Sequence, residues 1–202
     1  MAKFSVNWDK FTVIKKHDID RDAPYLWVIG VLVDANTLSS KNFVIRKPSG
    51  HDNLGGKFKK GESTAVPKKL NIDEEVKPIL GFAVCGVIVI AWENAMTTDR
   101  VIADAYDAAA DAINEFIRKR VESANLQPPT GGELDALAAQ IEEDVRDTIR
   151  DGWTIFQLVA DHNIGSANCL LFLQEHDTKE LNFRFTKKTT DYRLEGELKY
   201  TL

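Results

Sequence analysis

A chain of 202 residues with 44% hydrophobic and 28% charged residues has the make-up of an ordinary soluble globular protein, long enough to bury a core without disulfide staples. Its net charge of −5 argues against sequence-independent binding to a phosphate backbone and removes nucleic acid from the expected partners. Only two cysteines occur, Cys85 and Cys169, each inside an apolar run, which predicts buried free thiols rather than a disulfide framework.

The start, MAKFSVNWDKFTV, lacks the unbroken apolar stretch of a secretory signal, so the expected location is cytoplasmic, or outside the cell by a route without a recognisable signal peptide. Strands are predicted at Phe11 to Lys15, Tyr25 to Val33, Asn42 to Arg46 and Ile79 to Ala91. These runs are rich in Val, Ile and aromatics and are punctuated by DRDAP, KPSG and HDNLGG. The apolar run at 78–92, PILGFAVCGVIVIAW, falls short of the roughly 20 residues of a bilayer-spanning helix and is flanked by Lys77 and Glu93, which favours a buried strand, or two strands bent at Gly86. Residues 47–69, rich in Gly, Lys and Pro, read as the most flexible connection.

The grammar changes over 98–150. Ile102, Ala105, Ala109, Ile113, Phe116 and Ile117 recur at three and four, the stripe of an amphipathic helix. After NLQPP a second helix is expected, opened by Thr130 and Glu133 at capping-box spacing, carrying Leu134, Leu137, Ile141, Val145 and Ile149 on one face and stopped by Gly152. Strand patterns return in WTIFQLVA, NCLLFLQ, LNFRFT and YRLEGELKYTL. In the last, Tyr192, Leu194, Gly196, Leu198 and Tyr200 alternate with polar residues, so one face is dry and one wet. Strands on both sides of a helical pair, without βα alternation, predict a single mainly β domain over 1–202. Its expected form is an antiparallel β-sandwich made of 3–92 and 153–202, with a helical hairpin inserted at 98–150.

The chemistry with the clearest spacing is acidic. Asp18, Asp20 and Asp22 crowd the connection HDIDRDAP, and three carboxylates so close repel unless a cation or water screens them. A hard cation such as Ca²⁺ takes six to eight oxygens and needs acids from several loops. In a sandwich the loops at one end cluster, so Glu93, Asp99 and Asp161, at the ends of other elements, are the expected additional ligands. Against this stands the role of Asp and Asn as ordinary turn formers, and of Asp99 as an acid opening a helix.

The stretch FTVIKKHDIDRDAPYLWVIGVLVD, residues 11–34, resembles the opening of a C2 domain through Phe11, Val13, Asp18, Asp22, Pro24 and Tyr25. That resemblance implies a β-sandwich binding Ca²⁺ between loops, often to attach to phospholipid, with Asp18 or Asp20 and Asp22 as first-loop ligands. Further along, GGKFKKGES does not complete a nucleotide phosphate-binding loop, because Glu62 stands where a lysine is required. The first expectation for this stretch is a mobile basic loop whose lysines stay solvated; the second is that Lys57, Phe58, Lys59 and Lys60 offer an aromatic amid cations to an anionic surface.

His17, His51, His162 and His176 each sit near an acid but without zinc-protease spacing, and no serine-nucleophile elbow is present. Asp104, Asp107 and Asp111 recur along the first helix as a solvated face or a cation stripe. The expected function is therefore a non-enzymatic binding module, Ca²⁺-dependent through the acids, that recognises a protein or membrane surface. The alternative is a self-assembling or toxin-like effector whose hairpin or 47–69 loop rearranges on a target. A metal-dependent hydrolase using Asp161 and His162 ranks third.

Overall fold

A computed structural model describes residues 2–16, 22–51, 53–80, 83–94, 97–125, 130, 132–133, 136–141, 143–144, 162–173 and 177–201, with the side chains of 162 and 170–173 outside the description. Among these residues nine strands run β1 (Ala2–Lys15), β2 (Pro24–Val33), β3 (Val44–Arg46), β4 (Ser63–Ala65), β5 (Ile72–Val76), β6 (Ala83–Glu93), β7 (His162–Leu173), β8 (Asp177–Lys187) and β9 (Thr190–Thr201). They are accompanied by α1 (Ala35–Ser40) and α2 (Asp99–Glu122), by one 3-10 turn at Lys68–Leu70 and by further helical residues within 132–144. No helix among these residues is long and apolar enough to cross a membrane.

The strands form two antiparallel sheets. In one the order is β4-β1-β9-β8, and β5 pairs with the first half of β1; in the other it is β3-β2-β6-β7. β1 begins nine residues earlier than the sequence suggests. Phe4, Val6 and Trp8 alternate inward, but an extra residue at Asp9 shifts the register, so the next inward group is Phe11 and the period of two is broken. Facing the bulge, Gly196 lies against Trp8, where a Cβ would stand 2.4 Å from the Asn7 carbonyl oxygen; only glycine fits.

Buried side chains from both sheets, among them Phe4, Phe11, Val28, Val87, Phe185 and Leu198, merge into one apolar cluster. β9 shows the predicted alternation, with Tyr192, Leu194, Leu198 and Tyr200 buried and the residues between them half-exposed. β2, in contrast, is buried along its whole length, because its second face is covered as well. That cover is α2, whose Ile102, Ala105, Tyr106, Ala109, Ile113 and Ile117 pack on Trp27, Ile29, Ile88, Ile90 and Trp92. The observed order is thus helix, four-stranded sheet, five-stranded sheet.

Polar side chains fix α2 against the β2–β3 edge. The Tyr106 hydroxyl donates to the Val28 carbonyl at 3.0 Å and accepts from the Lys47 amide at 2.7 Å. Asn114 accepts from the Phe43 amide at 2.7 Å, and Arg46 pairs with Asp107 and Asp111, so two acids of the expected stripe have a cation from the protein itself. Of the predicted second helix, residues 132–133, 136–141 and 143–144 are helical, and Leu137 and Ile141 join the α2 cluster. Thr130 and Glu133 do form the capping box: the Thr130 amide donates to Glu133 Oε2 at 2.8 Å and the Glu133 amide to Thr130 Oγ1 at 3.3 Å. Leu134, Val145, Ile149, Gly152 and the predicted strand WTIFQLVA lie outside the described residues.

Candidate functional site

Backbone register decides which acids share an end of the molecule. Pro24 of β2 stands opposite Glu93 of β6, and Glu93 stands opposite His162 of β7. The Asn94 amide donates to the Ala23 carbonyl at 3.0 Å and closes the same end. Asp22 is therefore two residues from the strand position facing Glu93, and Asp161 directly precedes in sequence the position that faces Glu93 from the other side. Ala91 belongs to the cluster between the sheets and Trp92 to the cluster under α2, so alternation turns Glu93 toward the five-stranded sheet.

Both acids are sealed from solvent, Asp22 at 0% and Glu93 at 2% exposure. Asp22 is built into the scaffold on two levels. Its backbone exchanges hydrogen bonds with Phe58, Asp22 N to Phe58 O at 3.0 Å and Phe58 N to Asp22 O at 2.7 Å. Its Oδ2 accepts from the Tyr192 hydroxyl at 2.9 Å, and the Tyr192 ring rests on Phe11, 5.3 Å between centroids. A partner 170 residues away in the chain leaves no local signal, and no spacing rule would have pointed to it.

Asp99 does not join this pair. It opens α2, its side chain is 79% exposed, and its Oδ1 lies 2.8 Å from His51 Nδ1. The His51 ring meets the Tyr25 ring edge-on at 4.9 Å, and Tyr25 faces α2. Asp99 is thus on the helix side of the four-stranded sheet, whereas Glu93 points to the other side. An acid in the first helical turn is held there by the helix, whose N-terminal amides favour negative charge. Asp18, Asp20 and Asp161 lie outside the described residues, and among the described ones no three His, Cys, Asp or Glu side chains gather as metal ligands.

Lys57, Lys59 and Lys60 are exposed as expected, but Phe58 between them is 9% exposed and faces the core beside Phe11. The antiparallel bridge to Asp22 turns the ring inward, which removes the aromatic from the cationic surface the sequence suggested. The 47–69 connection is likewise more tightly held than its composition implies. Asn53, 1% exposed, accepts from the Leu26 amide at 3.0 Å and donates to the Leu26 carbonyl at 2.5 Å, acting as one residue of a neighbouring strand on the β2 edge. Leu54, Val66 and Leu70 bury beside it.

Among the described residues the two cysteines are poor candidates for a reactive centre. Cys85 and Cys169 are free and buried on neighbouring strands, Cys85 opposite Leu171 and Cys169 opposite Val87, so the two are offset by two residues. Burial raises the pKa of both thiols, for Cys85 with the Asp34 carboxylate adding to the shift, which makes them poor nucleophiles. His17 and His176 and the side chain of His162 lie outside the described residues.

A scan against protein-family models and searches of curated proteins and of solved structures find no match to this chain.

Proposed function

We propose that the chain is a non-enzymatic, C2-like β-sandwich module that binds Ca²⁺ at the Asp22–Glu93 end and uses that end to recognise a protein or membrane surface. The observation that supports it is the pair of sealed carboxylates, Asp22 and Glu93, drawn to one end by the β2–β6–β7 register. Carboxylate oxygens are the donors a hard cation selects. Asp18 and Asp20, four and two residues before Asp22, and Asp161, one residue before His162, are the sequence positions from which further oxygens would come. When bound, Ca²⁺ would supply positive charge to which an anionic partner coordinates. The chain's own part is to hold Asp22 by Tyr192 and Phe58 and to carry Glu93 on the end of β6.

A rearranging effector draws less support. α2 is tied to the sheet by Tyr106, Asn114 and Arg46, and the 47–69 connection by Asn53, which suits a fixed scaffold.

Thermal melting in millimolar Ca²⁺ and in chelator tests the proposal, since a ligand held by the folded state alone raises the melting point, by about 2.7 kcal/mol of stability at a hundred times its Kd. The wild type is expected to melt higher in Ca²⁺ and Glu93→Gln to melt alike in both. A wild type indifferent to Ca²⁺ and chelator contradicts it.

A further inference from the structure

The outer face of the four-stranded sheet changes character at the β6–β7 boundary. On β6 that face carries Ile88, Ile90 and Trp92; directly across on β7, the partners are Asn168, Ser166 and Asn163. Cross-strand neighbours sit about 5 Å apart, so an apolar strip and an amide-and-hydroxyl strip run side by side. α2 and the 136–141 helical stretch cover the apolar part from above, and Ser166 and Asn168 remain exposed.

At this boundary lies a cleft of about 380 Å³, within the range of small-molecule sites. Ile88, Ile90, Leu137 and Ile141 form its apolar side, and Asn163, Ser166 and Asn168 its polar side. Lys187, at the end of β8, is the one charged group among the described residues lining it, so none of those described residues is an acid. The backbone at its mouth is specialised. β7 carries a bulge opposite Ala91 and Trp92, Gly165 has φ of +147°, a conformation L side chains rarely adopt, and Asn163 Oδ1 locks the bend by accepting from the Gly165 amide at 2.8 Å. Bulges of this kind re-aim side chains beside binding sites. Here the bend keeps Asn163 and Ser166 on the cleft side although an extra residue, Ile164, is turned into the core.

We infer that this cleft binds a small amphipathic carboxylate, its hydrocarbon part against Ile88, Ile90, Leu137 and Ile141, its oxygens toward the Asn163–Ser166–Asn168 strip and its charge paired with Lys187. A purely apolar ligand would leave that strip without a partner, and a cationic one would meet the lysine; the charge of the lining selects an anion. The site is separate from the Asp22–Glu93 end and does not depend on Ca²⁺.

Decanoate below its micellar range, titrated into the full chain by calorimetry in chelator, is the direct probe, with decanol and decyltrimethylammonium as neutral and cationic counterparts. Decanoate should bind one per chain, with both counterparts at least tenfold weaker. Lys187→Glu should weaken decanoate at least tenfold, and Ser166→Trp, which places a large ring in the cleft from an exposed position, should abolish binding while the ligand-free melting point stays near wild type. Three results would overturn the inference: no binding of decanoate to the wild type, equal binding of all three probes, or decanoate binding unchanged in both variants.

Discussion

At the residue scale the most informative contact is Tyr192 with Asp22. A buried carboxylate that accepts from a buried hydroxyl loses a charge-assisted bond when that hydroxyl is removed, so Tyr192→Phe should cost about 1–3 kcal/mol, read as a lower denaturation midpoint with an unchanged m-value. Gly196→Ala is predicted to be as severe for a steric reason. Its Cβ cannot coexist with the Asn7 carbonyl 2.4 Å away, and the resulting backbone shift should cost about 1–3 kcal/mol in the same measurement. Asp191 supplies a pH-dependent counterpart. Arg184 holds it by two hydrogen bonds, 3.0 and 2.7 Å, and keeps its carboxyl below the usual range. Because the folded-state pKa is the lower one, the stabilisation is fully present above the ordinary Asp value of about 4 and drains away as pH falls through the folded value. Melting of wild type and Arg184→Gln should therefore differ most near neutral pH and converge in strong acid.

At the scale of elements, α2 illustrates how an amphipathic stripe becomes a covered sheet. Tyr106 contributes a ring to the apolar contact with Trp27 and a hydroxyl to two backbone groups of the β2–β3 region. Tyr106→Phe should leave the ring contact intact and cost about 1–3 kcal/mol through the Val28 carbonyl and Lys47 amide it abandons, with faster amide exchange at Lys47 as the local signature. The stripe itself was legible, as was β9, because each has one wet and one dry face that imprints its period on the sequence. β6 lacked that imprint. Both its faces are buried, so its predicted bounds, 79–91, slid against the observed Ala83–Glu93. β1 was half missed because the Asp9 bulge changes phase in mid-strand, and β7 because HNIGSAN reads as turn chemistry while forming the bulged start of a strand. The short α1 carries only a local signal, six residues without a buried side chain: Asp34 and Thr37 cap each other, and Asp34 Oδ2 also accepts from the Lys77 amide at 2.9 Å. Of the six acids picked out by spacing, Glu93 and Asp22 share an end through strand register, which the order of strands made readable. Asp99 is on the other side of the sheet because a helix carries it, and sequence alone does not tell which face that helix covers.

At the scale of the whole molecule, three layers leave two kinds of place for function. The helix layer gives the four-stranded sheet a second buried face and, where its cover meets β7, the cleft with Lys187 at its rim. The sheet layers bring strand ends together and with them two buried acids. Calcium at that acidic end is tested by luminescence of bound Tb³⁺, an oxygen-seeking stand-in for Ca²⁺, excited through tryptophan, because Trp92 adjoins Glu93 in the chain. Calcium binding there requires saturable emission that Ca²⁺ displaces and that Glu93→Gln removes while leaving the fold intact by circular dichroism. Emission that never saturates, or that persists unchanged in Glu93→Gln, would contradict it.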